Sequence, residues 1–225
     1  MSQIEGDINE SFYLCEGIWL DNNEKTLKDK FNNKELCFTN INDCILILER
    51  EVRRWILEPM AILIDDDIAN KSKYFPFKNS IFALYGIFSY IEKIQRYKKG
   101  KPYTSGDTQS TSILTDGFKE LFPKDEYSKK KINKILKNTR HSLMHTGNIG
   151  DHVLINNDYK NCVEYKGSNS NLEKIELNVY KMLETIMDDF DLYIKSLKEE
   201  SNTELRQNFQ SVFNLYYDDE ISIFK

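Results

Sequence analysis

The chain has 225 residues, of which 40% are hydrophobic and 30% are charged, as is typical of a soluble globular protein. Its 13 tyrosines and 13 phenylalanines exclude a disordered chain, because disordered sequences are poor in aromatic residues. The net charge of -5 excludes a uniformly basic nucleic-acid-binding surface, so any polyanion must bind to a local patch.

The compartment is indicated by what the sequence does not contain. The first ten residues, MSQIEGDINE, are acidic and unlike a signal peptide, and no run approaches eighteen apolar residues. The four cysteines show neither the spacing of a zinc site nor that of a disulfide framework. We therefore expect a cytoplasmic protein with free thiols, no membrane contact and no bound metal or other cofactor.

The first predicted helix follows a segment of weak periodicity. Residues 1–40 predict an irregular arm or a short hairpin. After Asp43, apolar residues recur mostly at steps of three and four, which predicts a helix. Pro59 is expected to kink or end that helix near Glu58. The acidic triplet Asp65–Asp67 is expected to mark the solvent-exposed turn that follows.

The second predicted helix covers residues 77–99 and is apolar nearly all round in its first half. This pattern is typical of a central, buried helix. Gly100 is the expected C-cap, with Pro102 just beyond it. A polar loop at 104–112 and a short helix at 113–122 should follow.

The fourth predicted helix begins near Asp125, which can cap its N-terminus, and ends at Gly147. Its expected buried stripe consists of Ile132, Ile135, Leu136, Thr139 and Leu143. After it, the short runs VLIN, CVEY and KIEL favour strands and predict a small β-hairpin or a three-stranded flap. A long helix at 178–197 and a shorter helical tail complete the pattern.

These elements predict an all-α fold, a helical bundle with a small β-hairpin or flap after the fourth helix. The expected organisation is an irregular N-terminal arm at 1–40, one helical domain at 41–200 and a C-terminal helical tail at 201–225.

The chain has three histidines, and all of them lie between positions 141 and 152. His141 and His145 are four residues apart and share a helix face, and Arg140 could converge with them if the last turn loosens before Gly147. Arginine offers a planar fork for phosphate oxygens, and histidine can transfer protons near neutral pH. Together these groups can cleave a phosphodiester through attack by the adjacent 2'-hydroxyl without a metal.

The sequence around the cluster is basic. Residues 124–140 contain six lysines and one arginine against two acidic residues, and the end of the second helix adds five more cations. If the two helices pack side by side, both stretches could bind phosphates, with Tyr97 and Tyr103 stacking on bases. The alternatives are that the lysines form an ordinary solvated helix face and that the tyrosines are packing residues.

The spacing Arg-x4-His from Arg140 to His145 resembles the Rx4-6H signature of the HEPN superfamily. In both, a polar residue follows the arginine, and a small residue and a glycine follow the histidine. The context is also similar: a helix like IFALYGIFSYIEKIQRYKKGKPY, a loop, the segment DGFKELFP and then the motif helix. The resemblance covers about residues 43–198 and implies a metal-independent endoribonuclease. Arg140 and His145 would be the catalytic pair and His141 an auxiliary catalytic residue.

The resemblance also implies partners. RNA would be the substrate, and two motif copies would meet across a homodimer interface. The basic stretch beside the motif predicts that Lys130, Lys134, Lys137 and Tyr97 bind this RNA. The setting would be a toxin or anti-phage defence system, with an antitoxin or defence protein as a possible partner. Because other HEPN proteins lack activity, the alternative is a catalytically inactive module for dimerisation, for binding RNA or nucleotides, or for regulating a partner.

Two further interpretations of the cluster stay open. A histidine pair at this spacing can bind a metal, with Asp151, His152 or Cys162 as the third ligand, although the adjacent arginine disfavours a dication. Basic residues also stabilise the C-terminal end of any helix. Finally, Glu92 occupies an otherwise apolar helical position, which suggests a contact with Arg140.

Overall fold

The computed structural model describes residues 11–21, 26–69, 78–104, 108–124, 127–168 and 170–222. Over these residues the fold is mixed α/β, so the prediction of an all-α fold is wrong. A four-stranded sheet precedes the helices in the sequence, and a three-stranded sheet follows the motif helix. The helices between and after them form the centre of the molecule.

The N-terminal segment is an antiparallel sheet in sequence order, not an irregular arm or a single hairpin. Its strands are β1 (Ser11–Cys15), β2 (Ile18–Asp21), β3 (Thr26–Asp29) and β4 (Lys34–Leu36). Strands this short show too few alternations to give a clear period. The buried carboxylate of Asp29 accepts two hydrogen bonds from Arg50, at 2.6 and 2.8 Å, which attach the sheet to the first helix.

The first helical segment continues through Pro59 and does not end near Glu58. It consists of α1 (Ile41–Val52), a π-helical turn (Arg53–Leu57) and α2 (Glu58–Ala69). In the π turn the Glu58 N–H donates to the carbonyl of Arg53, five residues earlier. The hydrogen-bond ladder is therefore already shifted where Pro59, which has no N–H to donate, enters the helix.

The prediction that Asp65–Asp67 forms a solvent turn is also wrong, because all three residues lie within α2. The Asp67 side chain is buried and accepts hydrogen bonds from the backbone N–H groups of Asn79 and Ser80, at 3.0 and 2.7 Å. It thereby caps the N-terminal end of α3 (Lys78–Lys99), whose first N–H groups have no partner within the helix.

Helix α3 confirms the prediction of a central helix, since it packs against α2, α4 (Ser110–Leu121), α7 (Val179–Lys198) and α8 (Thr203–Ser222). Gly100 follows it with φ +62°, in the left-handed conformation expected of a C-cap. No helix in the described ranges is both long and apolar enough to cross a membrane.

The motif helix consists of α5 (Lys129–Leu136), a second π turn (Lys137–His141) and α6 (Ser142–Thr146). All five residues of its predicted stripe are buried. Gly147 ends it with φ +71°, as expected of a cap. Asp125 lies outside the described residues, and the observed N-cap is Ser128, which accepts from the backbone N–H of Lys131 at 3.3 Å.

The segment after the motif helix confirms the prediction of a small β structure. Its three strands are β5 (Val153–Ile155), β6 (Val163–Gly167) and β7 (Leu172–Leu177). Their order is β5-β7-β6, with β5 parallel and β6 antiparallel to β7. The sheet connects the motif helix to α7.

Candidate functional site

The second π turn carries two residues of the predicted cluster. Arg140 and His141 lie within it, and the N–H of Ser142 donates to the carbonyl of Lys137, five residues earlier. The π turn therefore lies before the last turn of the helix, Ser142–Thr146. We had expected the loosening in the last turn itself. Isolated π turns occur often at functional sites because they change the direction of side chains on a helix.

Arg140 is fixed by an acidic residue of the central helix. Its Nη2 lies 3.2 Å from Oε2 of Glu92, which confirms the predicted contact. The other oxygen of Glu92 accepts from Arg96 at 2.8 Å, and the buried Arg96 donates to Oγ of Ser110 at 2.7 Å. Arg140 keeps 28% of its side chain exposed, so it is oriented and still accessible to a ligand.

His141 and His145 confirm the predicted shared face. Their rings lie 4.2 Å apart between centroids at an interplanar angle of 54°, and both residues are exposed. His152 is separate, since its Nδ1 lies 3.1 Å from the carbonyl oxygen of Glu173 at the three-stranded sheet. Among the described residues, no three His, Cys, Asp or Glu side chains come together in a metal-binding arrangement.

A pocket of about 220 Å³ lies between α4 and the motif helix. Its lining residues are Thr111, Leu114, Asn133, Leu136, Lys137, Arg140 and His141. Arg140 and His141 therefore face one cavity. His145 is not part of its lining, and its ring contacts that of His141.

The predicted lysines differ from most cations of α3 in having no carboxylate partner among the described residues. Lys130, Lys134 and Lys137 follow one helix face at steps of four and three, and they form no ion pair with any residue that the structure describes. Continued in steps of four, this face reaches His141 and then His145. We call Lys130, Lys134 and Lys137 the lysine stripe.

Tyr97 does not belong to this surface. It is fully buried, and its ring centroid lies 5.5 Å from that of Phe209 and 6.0 Å from that of Tyr216, both on α8. Burial raises the pKa of its hydroxyl well above the ordinary value. Its ring has no free face for a nucleotide base, so it is removed from the set of candidate binding residues. Tyr103, in contrast, is exposed, and the guanidinium of Arg96 lies 5.4 Å from its ring centroid.

Two exposed apolar side chains lie on the helices that carry the site. The hydroxyl of Tyr85 donates to the carbonyl of Leu143 at 2.5 Å, which joins the first half of α3 to α6. Phe82, one turn earlier on α3, is 63% exposed, and Met144 on α6 is 44% exposed.

Several lining residues of the pocket were not predicted from the sequence. Asn133 could have been predicted from helical spacing, because it lies four residues before Lys137 on the same helix. Thr111 and Leu114 could not be found in this way, since their position depends on how α4 packs against the motif helix.

No family model, curated protein or solved structure matches the chain. The HEPN resemblance therefore depends on the short motif and its helical context, and the assignment of function depends on the geometry of the site.

Proposed function

We propose that this protein is a metal-independent endoribonuclease of HEPN type. The observation that carries the proposal is the combination of Arg140 and His141 at one pocket with the ring of His145 adjacent. These groups end a helix whose lysine stripe is available to phosphates. They are the groups that phosphodiester cleavage by a 2'-hydroxyl needs, held by a π turn and a carboxylate.

In this reaction Arg140 binds the scissile phosphate and stabilises the charge that develops on it. Glu92 acts as a positioning residue through its ion pair with Arg140. His145 is the principal proton-transfer residue and His141 its helper. One takes the proton of the 2'-hydroxyl as its oxygen attacks phosphorus, and the other protonates the departing 5'-oxygen. The products are a 2',3'-cyclic phosphate and a 5'-hydroxyl end.

The same proposal includes a homodimer. Phe82 on α3 and Met144 on α6 support it, because both are exposed apolar side chains that a second copy would cover. We place the activity in the cytoplasm, in a toxin or anti-phage defence setting, with an antitoxin or defence protein as a further partner. This setting follows from the resemblance alone.

Two observations favour the alternative of a catalytically inactive module. Arg140 is already paired with Glu92, and His145 lies outside the pocket. Such an arrangement could bind RNA or a second copy without cleaving. The two functions differ in one measurable property, which is RNA cleavage in the absence of metal.

The test is incubation of RNA with the protein in EDTA. Wild type should cleave, while Arg140→Ala and His145→Ala should lower the rate at least ~100-fold, the lower range for acid-base catalysis. His152→Ala is the matched control, because it removes an exposed histidine outside the cluster and should cleave normally. Intact RNA with wild type, or equal cleavage by all variants, would contradict the enzymatic proposal and leave the inactive module.

Two further measurements test the rest of the proposal. Sedimentation should show a dimer that Phe82→Asp weakens, and a monomeric wild type would contradict the homodimer. Expression in bacteria should arrest growth, and His145→Ala should abolish the arrest. Normal growth with active wild-type enzyme would contradict the toxin setting.

A further inference from the structure

The pocket beside Arg140 has a composition that phosphate binding does not explain. Leu114 and Leu136 line it although they are only 3% and 5% exposed, so they contribute a small apolar surface, and the polar residues Thr111 and Asn133 also line it. A site for phosphate alone needs no apolar lining. At about 220 Å³ the pocket is smaller than the ~300–1,000 Å³ clefts that bind drug-sized molecules, so it suits a single ring system.

Asn133 has hydrogen-bonding capacity left for a ligand. The buried Thr115 hydroxyl lies 2.6 Å from the carbonyl oxygen of Thr111 and 3.1 Å from Oδ1 of Asn133, so these two oxygens compete for its one proton. The side-chain N–H groups of Asn133 donate to no residue that the structure describes. They remain available to a ligand, together with the second lone pair of Oδ1.

The cations define the orientation of such a ligand. Lys137, Arg140 and His141 line the same pocket as the leucines and Asn133. A ligand that fills it would therefore place a flat apolar ring against the leucines and a negative charge at Arg140. Single-stranded RNA offers this combination, because its unstacked bases enter pockets and form hydrogen bonds through their edges.

We propose that this pocket is a nucleobase subsite. In it, the base of the nucleotide adjoining the scissile phosphate packs against the apolar surface that Leu114 and Leu136 contribute, and Asn133 recognises the base edge. An asparagine amide presents an acceptor and a donor side by side, which is the pattern used for specific base contacts. The inference rests on the proposed ribonuclease function and adds base selectivity at one fixed position of the cleaved RNA.

The experiment maps cleavage sites in an RNA of random sequence, in EDTA, with wild type and three variants. Thr111→Trp places a large side chain in the pocket from an exposed position, and Asn133→Ala removes the amide. Ser112→Trp is the matched control, since Ser112 is exposed and next in sequence but does not line the pocket. Wild type and Ser112→Trp should prefer particular bases about tenfold at one position, and the other variants should lose the preference.

A second measurement separates the subsite from catalysis. Binding of His145→Ala to labelled RNA homopolymers of each base is followed by fluorescence anisotropy, with and without Thr111→Trp or Asn133→Ala. A base preference that both pocket substitutions remove supports the subsite even if wild type cleaves nothing. Cleavage without base preference, or a preference unchanged by the pocket variants, overturns the subsite and leaves the ribonuclease proposal standing. Absence of RNA binding overturns both.

Discussion

Two lysine-rich stretches look alike in the sequence and differ in the structure. At the end of α3, Lys93, Lys98 and Lys99 each pair with a carboxylate of another element. In the motif helix the lysine stripe has no such partners among the described residues. The number of cations in a stretch therefore does not indicate how many are free for a phosphate. The carboxylates on neighbouring elements decide this.

The position of each helix explains the difference. Helix α3 is surrounded by other helices, and a cation there is costly unless a carboxylate compensates its lost hydration. Lys98, for example, keeps only 17% of its side chain exposed and contacts both Asp189 and Glu120, at 2.8 and 2.7 Å. Lys130 and Lys137 are exposed to solvent and need no partner. The basic end of α3 stabilises the fold, and the motif helix supplies the candidate RNA-binding surface.

The largest effect is expected from Lys98→Ala. The substitution leaves Asp189 partly buried without its cation, so the free energy of unfolding should fall by about 3 kcal/mol. Urea denaturation measures this change, and RNA affinity of the folded protein should be unaltered. As a control, Lys130→Ala should change stability by less than about 0.5 kcal/mol. Equal stability of the two variants would show that the two lysine-rich stretches do not differ in how much they stabilise the fold.

The second prediction concerns the lysine stripe. Replacing its three lysines by alanine should lower the slope of log affinity against log salt by about 2, since each phosphate contact on a single strand contributes ~0.7. Filter binding of RNA at several salt concentrations measures the slope. A charge-matched control replaces three exposed lysines elsewhere, namely Lys119, Lys160 and Lys195. If the control lowers the slope as much as the stripe, RNA binding follows net charge and not this surface.

The helices of the fold were predictable where a period of 3.6 extends over many residues. The buried stripe of the motif helix and the two glycine caps were predicted in this way and confirmed. The four-stranded sheet was not, because its strands have three to five residues and pair through contacts that local sequence does not encode. The π turn before Pro59 was also missed, and of the two outcomes predicted there, a kink or an end of the helix, the end did not occur.

The candidate site was predictable to the extent that it lies on one helix. Arg140, His141 and His145 follow from helical spacing, and Glu92 follows from an acidic residue in an apolar pattern. Tyr97 was assigned incorrectly because α8, more than a hundred residues later in the chain, packs over its ring. The pocket depends on α4 in the same way. Periodicity in the sequence does not show which segments, far apart in the chain, pack against each other.

The third prediction concerns Lys124, which belongs to the basic stretch at 124–140. Unlike the lysine stripe, Lys124 has a carboxylate partner, Glu164 on β6. The hydrogen bond from Lys124 lowers the pKa of Glu164, and this outweighs the opposing effect of burial. A carboxyl whose pKa is lowered by folding stabilises the protein above its unfolded pKa of about 4.3 and loses that contribution as the pH falls through the folded pKa.

Glu164→Gln should therefore lower stability at neutral pH by less than about 1 kcal/mol and reduce the loss of stability on acidification. Thermal unfolding between pH 7 and pH 3 measures both effects, with the exposed Glu173→Gln as control. An acid dependence identical to wild type would show that Lys124 is as free as the lysine stripe.

The smallest effect is expected from Lys99→Ala, which tests whether pairing or burial matters at the end of α3. Lys99 pairs with Asp116, but the two side chains are 33% and 52% exposed. Water replaces most of such an interaction, so the free energy of unfolding should fall by less than about 0.5 kcal/mol, against about 3 kcal/mol for Lys98→Ala. Urea denaturation of both variants in parallel measures the difference. A loss of stability for Lys99→Ala as large as that for Lys98→Ala would mean that ion pairing stabilises the fold whether or not the pair is buried.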